Sequence, residues 1–336
     1  MLIQENFSLK DYNTFGIEVA SRYFASPTDS TELNKSINFA KENNLKILPI
    51  GKGSNILFTS DYNGITISQN SEEIIVINED ADFLTIEASA GVEWDKLVEF
   101  TVENDLWGIE NLSLIPGTVG AAPIQNIGAY GTELKEHLIW VKGVSTVNFT
   151  KQRFSNEKCE FGYRDSIFKH RLKNDFVVTS IALKLSRLPN PKLNYRPLKK
   201  VFANKKNVNL TNIREAIIKI RNEKLPDPRK LGNAGSFFKN PVVSINKVKE
   251  LKRVFPQIPV FEFGKHEYKI PAGWLIENAG LKGYREGNVG VSNKQALVLV
   301  NYGNATGKEV LELAEKIKNL ILKKFNISLQ TEVNIL

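Results

Sequence analysis

The sequence predicts an α+β fold that is divided into two or three domains. Its 336 residues exceed the roughly 250–300 residues at which a single hydrophobic core stops growing. Apolar residues make up 42% of the chain and charged residues 24%, which is typical of a globular protein with a buried core. Segments with strand-like alternation and segments with helical apolar stripes follow each other along the chain, so we expect both kinds of element throughout.

The N-terminal part predicts a strand, a helix and a second strand. Residues 22–25 are typical of a short strand, and Asp29 followed by Glu32 resembles a capping box at the start of a helix. Residues 45–50 (LKILPI) form a short apolar run that suits a buried strand. The sequence GKGSN at 51–55 follows directly, so we expect a glycine turn at the end of this strand.

The next part predicts strands, a helix and a long glycine-rich loop. Residues 64–92 alternate in three runs (ITIS, EIIVI and FLTIEA), and residues 94–102 carry the apolar stripe of a helix. Residues 111–134 then contain four glycines and two prolines but few charges. Because an exposed loop would be more polar, we expect this backbone to be buried, with its amides bonded to neighbouring groups.

The C-terminal half predicts a strand at 177–185, a helix with apolar positions at 213–220, and a domain boundary at Pro-Asp-Pro, 226–228. A final helix begins with a capping box formed by Thr306 and Glu309. Its predicted buried stripe consists of Val310, Leu313, Ala314, Ile317, Leu320 and Ile321. The closing segment alternates as a strand with Leu329, Thr331, Val333 and Ile335 on one face and Gln330, Glu332 and Asn334 on the other.

Composition narrows the class of protein. Cys159 is the single cysteine, so an intramolecular disulfide is impossible and we expect a cytoplasmic location. The three histidines and this cysteine lie far apart in sequence, which argues against a metal site. No apolar run approaches the roughly 18 residues that span a bilayer, and the N-terminus lacks the layout of a signal peptide. We therefore expect no membrane partner.

The net charge of +8 has several explanations. Six basic residues and no acidic one lie between Lys192 and Lys206. A nucleic-acid surface, attraction for an anionic substrate and a solvated basic face are all compatible with this run. Charge alone does not distinguish between them.

The glycine-rich stretches match no standard nucleotide fingerprint. GKG at 51–53 lacks the third glycine of GxGxxG, and GNATGK at 303–308 is one residue too short for a P-loop. Glycine-rich turns can nevertheless present backbone amides to an anion. GKGSN and PGTVGAAPIQNIGAYG could together hold the pyrophosphate of a dinucleotide such as FAD, or they could be tight turns in a β-rich domain.

Five motifs occur in a characteristic order: GKGSNILF, IPGTVGAAPIQNIGAYGTEL, FGYRDSIFK, KLPDPRKLGNAGSFFKNP and QTEVNIL. Together they resemble the UDP-N-acetylenolpyruvoylglucosamine reductase (MurB) family, bacterial enzymes of peptidoglycan-precursor synthesis. The resemblance extends from residue 9 to the last strand. The loop around Tyr195 and a complete third domain resemble the longer of the family's two subtypes.

The resemblance implies an FAD-binding fold of the vanillyl-alcohol-oxidase type, built from two subdomains, with a smaller α+β substrate-binding domain. The implied subdomains are 1–67 and 68–223, the substrate-binding domain is 224–326, and the strand 327–336 returns to the first subdomain. The implied reaction uses NADPH to reduce bound FAD, and the reduced flavin converts UDP-N-acetylglucosamine enolpyruvate to UDP-N-acetylmuramate. The predicted partner is therefore a sugar nucleotide, and we expect a monomer that binds no nucleic acid.

Three residues match the family's catalytic positions. Arg164, in YRD, is a permanent cation that can bind a carboxylate through two parallel hydrogen bonds. Ser236, in GNAGS, matches the general acid, and its hydroxyl can protonate only a strongly basic carbanion such as the enolate left by hydride delivery. Glu332 matches a second catalytic carboxyl group, which could donate a hydrogen bond if burial keeps it protonated. Without the motifs, a surface arginine paired with Asp165, a turn serine and an edge glutamate would be the simpler interpretations.

The resemblance also implies binding residues. Implied substrate contacts are Tyr163, Tyr195, Lys224, Asn240 and Gln295. Implied FAD contacts are Gly51, Lys52, Gly53, Ser54, Asn55, Pro116, Gly117, Thr118, Gly120, Ala121, Gln125, Asn126, Gly128, Ala129 and Tyr130. Lys52 departs from the family pattern, where glycine or glutamate is expected, and its side chain could reach the FAD pyrophosphate or point to solvent.

Two other functions remain as alternatives. A flavin oxidase of the same fold would act on another substrate, and its reduced form would react rapidly with oxygen. A non-enzymatic basic binding protein would be colourless and would bind nucleic acid in a salt-sensitive manner.

Overall fold

The computed structural model describes residues 2–205 and 207–336, so Lys206 of the predicted basic run lies outside the described residues. The α-helices in these residues are α1 (Ser30–Glu42), α2 (Trp94–Glu103), α3 (Arg196–Phe202), α4 (Leu210–Lys224), α5 (Ile245–Val254), α6 (Ala272–Asn278) and α7 (Gly307–Phe325). Among these described helices, none combines the length and the apolar character needed to cross a bilayer.

Most strands of the described chain are short, and two of them reach eight and 11 residues. In chain order they are β1 (Gln4–Ser8), β2 (Ala20–Ala25), β3 (Ile47–Pro49), β4 (Ile56–Leu57), β5 (Tyr62–Ile67), β6 (Ile74–Glu79), β7 (Phe83–Ser89), β8 (Gly128–Ala129), β9 (Thr132–Glu133), β10 (Leu138–Ser145), β11 (Lys151–Ser155), β12 (Phe176–Ser186), β13 (Val242–Ser244), β14 (Phe261–Gly264), β15 (Glu267–Lys269), β16 (Arg285–Glu286), β17 (Val289–Val291), β18 (Leu299–Asn301) and β19 (Asn334–Ile335).

The described chain divides into two compact units. Unit 1 comprises the chain up to Phe7 together with Ala20–Lys52 and Tyr62–Arg221. Unit 2 comprises Ser8–Val19, Gly53–Asp61 and Asn222–Leu336. The three-domain division at residues 67, 223 and 326 stays a prediction.

The first sheet of unit 1 has four strands in the order β1-β2-β5-β3. The predicted strands on either side of α1, β2 and β3, do not pair with each other, because β5 lies between them and pairs with both in parallel. The start of α1 also differs from the predicted capping box. Asp29 accepts from the Glu32 amide at 2.8 Å, but the Glu32 carboxylate accepts from the Thr28 amide instead of from Asp29.

The second sheet of unit 1 is antiparallel, with five strands in the order β11-β10-β12-β7-β6. Alternate residues such as Ile86 and Ala88 of β7 face a buried cluster that also contains Trp94 and Leu97 of α2. Cys159 belongs to the same cluster, and burial raises the pKa of its thiol to about 12. The sheet and α2 therefore form a core against which the long glycine-rich loop packs.

His137 makes the stability of unit 1 depend on pH. Burial, assisted by the charge of Lys192, lowers the pKa of His137 from 6.5 to about 4. The unfolded chain therefore binds one more proton than the folded protein between these two values, and the stability present above this window is lost as the pH falls through it. We expect the free energy of unfolding to fall by roughly 1–2 kcal/mol between about pH 7 and about pH 5.

Urea denaturation at a series of pH values tests this expectation. His137→Asn should lessen the loss of stability on acidification, whereas the same change at exposed His266 should leave it as in the wild type. An unchanged pH dependence in the His137 variant would contradict the assignment.

Unit 2 contains the sheets β13-β15-β14 and β16-β17-β18, and a parallel pair of β4 with β19. The capping box of α7 is confirmed, since Thr306 and Glu309 each bond the other's backbone amide. The predicted stripe is wrong at Leu320, which is 38% exposed. The buried row instead steps by four residues from Ile317 to Ile321 and Phe325.

The closing segment is less regular than predicted. Only Asn334–Ile335 belong to a strand, while Thr331 forms an isolated bridge with Phe238. Leu329 and Val333 are buried as the alternation predicts, but Ile335 is 38% exposed. The segment is therefore extended, and it is anchored at separate points along its length.

Gly53 and Gly16 in unit 2 form a matched pair for testing close packing. Both adopt a left-handed backbone conformation, with φ of +60° and +65°. A Cβ atom on Gly53 would lie 2.0 Å from the Tyr12 carbonyl oxygen, whereas one on Gly16 would meet nothing within 4 Å. We expect Gly16→Ala to cost about 1–2 kcal/mol of stability from the backbone alone. Gly53→Ala should cost at least about 3 kcal/mol, because overpacking adds to that strain. Equal losses for the two variants in thermal unfolding would contradict the packing argument.

Candidate active site

The two glycine-rich stretches meet in unit 1 at Gly51 and Thr118. A Cβ atom on Gly51 would lie 2.5 Å from Thr118 Oγ1, so a side chain there would push the two segments apart. None of the backbone–backbone hydrogen bonds within the described residues uses the N–H of Gly51, Lys52, Gly117 or Thr118 as donor. Backbone donors gathered at glycine turns suit phosphate oxygens, so these residues fit the pyrophosphate of FAD.

Lys52 forms an ion pair within unit 1. Its Nζ lies 2.9 Å from Glu93 Oε1, and the hydrogen bond from Lys52 is the main cause that lowers the pKa of Glu93. Glu93 in turn forms a β-bridge with Thr118. The Lys52 side chain therefore links the first glycine turn to the residue before α2, and its contact with FAD stays a prediction.

A 3-10 helix, Val119–Gln125, holds the centre of the long loop. The Gly120 amide donates to the Ala90 carbonyl at 2.9 Å, so this part of the backbone is bonded to its neighbours as expected. Asn126 follows in a left-handed conformation, and its side-chain amide donates to the Gly162 carbonyl at 3.1 Å. The other predicted FAD contacts of the loop are half-buried or exposed, namely Pro116, Ala121, Gln125 and Ala129.

Arg164 lies next to this loop in unit 1. It occupies a tight turn closed by hydrogen bonds between Gly162 and Asp165, and its own φ is +54°. Its Nη2 donates to the Gly128 carbonyl at 2.6 Å, and its Cζ lies 5.6 Å from the centre of the Tyr163 ring. The structure thus brings a predicted catalytic residue, a predicted substrate contact and a predicted FAD contact together.

Tyr195 and Tyr130 form a second aromatic contact, with ring centres 5.6 Å apart in an edge-to-face arrangement. Tyr195 is 50% exposed, whereas burial raises the pKa of Tyr130. Arg221 contacts Tyr130, and burial lowers the pKa of this arginine although the tyrosine acts in the opposite direction. Sequence analysis missed Arg221. Arg221 lies four residues after Ile217, on the apolar stripe of α4. A charged residue on that stripe was the feature of the sequence that could have indicated it.

Ser236 and Glu332 lie on neighbouring backbone segments of unit 2. The Glu332 amide donates to the Phe237 carbonyl at 2.8 Å, and the Phe237 amide donates to the Leu297 carbonyl at 2.8 Å. Phe237 and Phe238 are fully buried, so they anchor the GNAGS loop in the core. The Asn55 side chain donates to the Glu332 carbonyl at 3.2 Å. Three of the predicted site residues therefore converge here.

The GNAGS loop is also held from the N-terminal side of Ser236. Asn233 is buried, its Oδ1 accepts from the Gly235 amide at 3.0 Å, and its Nδ2 donates to the Leu231 carbonyl at 2.8 Å. Asn233 lies within the GNAGS motif, but no role was predicted for it. These bonds fix the turn that presents Ser236.

The predicted substrate contacts of unit 2 are spread around α6 and the end of α4. Asn240 Oδ1 accepts from the Ala272 amide at 2.9 Å, and Gln295 Oε1 lies 2.7 Å from the place where a Gly273 Cβ would be. Asn240 and Gln295 therefore both lie near the first turn of α6, whereas Lys224 is exposed. Ser54 is half-buried and Gly53 buried in the same unit.

No three His, Cys, Asp or Glu side chains in the described parts of the chain are arranged to hold a metal ion.

The class of protein follows from the amide-lined turns and a family comparison. Residues 21–148, which contain both glycine turns, match the family described as "FAD binding domain". The chain is therefore an FAD-binding protein.

The particular family follows from the rest of the chain. Residues 227–336 match the family described as "UDP-N-acetylenolpyruvoylglucosamine reductase, C-terminal domain". Proteins named UDP-N-acetylenolpyruvoylglucosamine reductase are similar over the whole length. The one from Flavobacterium johnsoniae is 43% identical and covers 100% of both chains. The one from Pseudomonas aeruginosa is 42% identical over 99% of this chain and 98% of its own. The chain belongs to the UDP-N-acetylenolpyruvoylglucosamine reductase family.

A solved structure supports the fold. The crystal structure of UDP-N-acetylenolpyruvylglucosamine reductase (MurB) from Thermus caldophilus is 23% identical, with a TM-score of 0.70 over 100% of this chain and 99% of that one. The predicted α+β FAD-binding fold is confirmed. The assignment to the longer subtype stays a prediction.

Proposed function

We propose that the chain catalyses the NADPH-dependent reduction of UDP-N-acetylglucosamine enolpyruvate to UDP-N-acetylmuramate, through bound FAD, in peptidoglycan-precursor synthesis. The observation that carries this proposal is full-length similarity, at 43% identity, to a protein named for that reductase activity. The bond from the Glu332 amide to the carbonyl of Phe237, the residue after Ser236, also supports it, because the reaction needs a proton donor and a second acidic group on neighbouring segments.

FAD would be held by the two glycine turns. The backbone amides of Gly51, Lys52, Gly117 and Thr118 would be the donors for its pyrophosphate. When bound, FAD supplies the hydride chemistry, with NADPH as donor and the enolpyruvyl methylene carbon as acceptor. Gly128, whose carbonyl already accepts from Arg164, would place that arginine beside the cofactor.

The chain's own residues would stabilise the negative charge of the intermediate and supply the proton that neutralises it. Hydride addition to the methylene carbon leaves negative charge on the adjacent carbon and its carboxylate. Arg164 would bind the carboxylate, and Glu332 in its protonated form would donate a hydrogen bond to it. The Ser236 hydroxyl would donate its proton to the carbanionic carbon, which completes the lactyl ether.

The substrate's nucleotide end would be bound by Tyr163, Tyr195, Lys224, Asn240 and Gln295. The exposed lysines of the run that begins at Lys192 would attract the diphosphate, since long-range attraction raises the rate of encounter with an anion. Action as a cytoplasmic monomer of the longer subtype belongs to the same proposal.

Steady-state turnover of the purified protein tests this function. We expect NADPH oxidation that depends on UDP-N-acetylglucosamine enolpyruvate and that yields an equal amount of UDP-N-acetylmuramate, identified by mass spectrometry. A flavoprotein whose reduced form reacts rapidly with oxygen but not with the enolpyruvyl compound would indicate the oxidase alternative. Colourless protein with salt-sensitive nucleic-acid binding would indicate the basic binding protein.

A further inference from the structure

The start of α2 holds the approach to the second glycine turn at three points. The Trp94 indole Nε1 donates to the Leu112 carbonyl at 3.0 Å, and the Trp94 amide donates to the Gly117 carbonyl at 3.1 Å. Between these two bonds, the Leu114 amide donates to Asp95 Oδ1 at 2.5 Å. Residues 112–117 are therefore bound to the first two residues of one helix.

Leu114 depends on this support, because its φ is +58°. Residues other than glycine, asparagine and aspartate rarely adopt this left-handed conformation, which costs about 1–2 kcal/mol. Such a conformation persists only where the surrounding contacts determine it. Asp95 supplies a contact at the strained residue itself, three residues before Gly117.

Arg214 of α4 orients the Asp95 carboxylate. Its Nη1 lies 2.7 Å from Asp95 Oδ1 and its Nη2 lies 3.0 Å from Oδ2, which is a bidentate pair. Only 11% of the Arg214 side chain is exposed. Burial alone would lower the pKa of Arg214, but the bonds and charges of Asp95 and Glu99 raise it, so the guanidinium stays charged.

We propose that Asp95 and Arg214 are positioning residues for FAD binding: the carboxylate that Arg214 orients holds Leu114, and thereby sets the Gly117 and Thr118 amides for the cofactor's pyrophosphate. The inference rests on the proposed FAD-dependent function. It predicts that the amide donors are present in the folded chain but bind FAD weakly when the Asp95 contact is lost.

Three single variants of the full-length protein separate this role from a general role in stability. Asp95→Ala removes both the acceptor for Leu114 and the pair with Arg214, whereas Asp95→Asn keeps an acceptor oxygen. The matched control is Glu87→Ala, which removes a different ion pair of unit 1, with Lys142 at 3.0 Å. Glu87 lies between Ile86 and Ala88 on β7, so its side chain faces away from the cluster around α2.

Flavin-free protein is titrated with FAD and followed by flavin fluorescence, and thermal unfolding without FAD reports whether each variant is folded. We expect Asp95→Ala to raise the Kd for FAD at least about tenfold, because a charged hydrogen-bond acceptor at a strained residue is lost. Glu87→Ala should stay within about threefold of the wild type, and Asp95→Asn, which keeps an acceptor for Leu114 but loses the bidentate pair with Arg214, should lie between Asp95→Ala and the wild type. Wild-type affinity in folded Asp95→Ala would overturn the inference, as would an equal loss in the Glu87 control.

Arg214→Met gives a second test if Asp95→Ala does not fold. It keeps the Asp95 acceptor but removes the group that orients it, so we expect the Kd for FAD to rise about threefold to tenfold in a protein that still unfolds cooperatively. An unchanged Kd would overturn the inference. Failure of the wild type itself to bind FAD would contradict the proposed function. If the wild type binds FAD and Asp95→Ala binds it with the same affinity, only the positioning role would be contradicted.

Discussion

Replacement of Ser236 by alanine is expected to leave reduction of FAD by NADPH intact and to nearly abolish turnover of the enolpyruvyl substrate. The physical reason is that the hydroxyl donates a proton only after hydride has reached the substrate. General acid catalysis contributes about a hundredfold to ten-thousandfold, so we expect a loss of about a thousandfold in the rate at which substrate reoxidises the flavin. Anaerobic stopped-flow measurement of the two half-reactions separates the two effects.

Ser244→Ala is the matched control for this variant. Ser244 also lies in unit 2, but it caps the N-terminus of α5, where its hydroxyl accepts from the Lys247 amide. Loss of this cap should cost about 1 kcal/mol of stability and leave both half-reactions unchanged. Undiminished reoxidation in Ser236→Ala would remove Ser236 from the proposed mechanism.

Replacement of Arg164 by methionine is expected to lower kcat/KM for the enolpyruvyl substrate by about a hundredfold to a thousandfold. The guanidinium would face the negative charge that develops on the substrate carboxylate, and no other group of the YRD turn can supply a permanent cation. Arg164→Lys should restore only part of the loss, because an ammonium group cannot form the two parallel bonds of a guanidinium. Steady-state kinetics with purified variants measures both effects.

Arg171→Met provides the comparison. Arg171 forms an ion pair with Glu160 in which both side chains are 66% exposed, so its removal should affect neither stability nor turnover by a measurable amount. Normal kcat/KM in Arg164→Met would exclude a role for this arginine in stabilising the reaction's charge.

Much of the fold is predictable because the local apolar pattern of a segment indicates whether that segment forms a strand or a helix. The alternating runs at 64–92 and the stripe at 94–102 became β5, β6, β7 and α2. The insertion of β5 between β2 and β3 was not predictable, because parallel pairing is set by the packing of distant segments. Leu320 was misplaced for a similar reason, since a stripe with two candidates per turn does not say which one meets the core.

The candidate site likewise combines features that were predictable from the sequence with features that were not. The resemblance predicts that Ser236 and Glu332 share a site, and the Glu332 amide donates to the carbonyl of Phe237, the residue after Ser236. The partner of Lys52 and the role of Asp95 were not predictable, because each depends on a contact with a segment whose position the sequence does not state. A supporting residue such as Asp95 lies outside the five motifs, so its role becomes clear only from the backbone amide that it binds.

An anaerobic absorption spectrum of the purified protein, recorded before NADPH, after NADPH and after UDP-N-acetylglucosamine enolpyruvate, tests the central claim most directly. The proposed function predicts flavin bands that bleach with NADPH and return with the enolpyruvyl compound. Bleaching without return would contradict the assigned substrate. The absence of flavin bands even after addition of FAD would contradict the flavin-dependent reaction altogether.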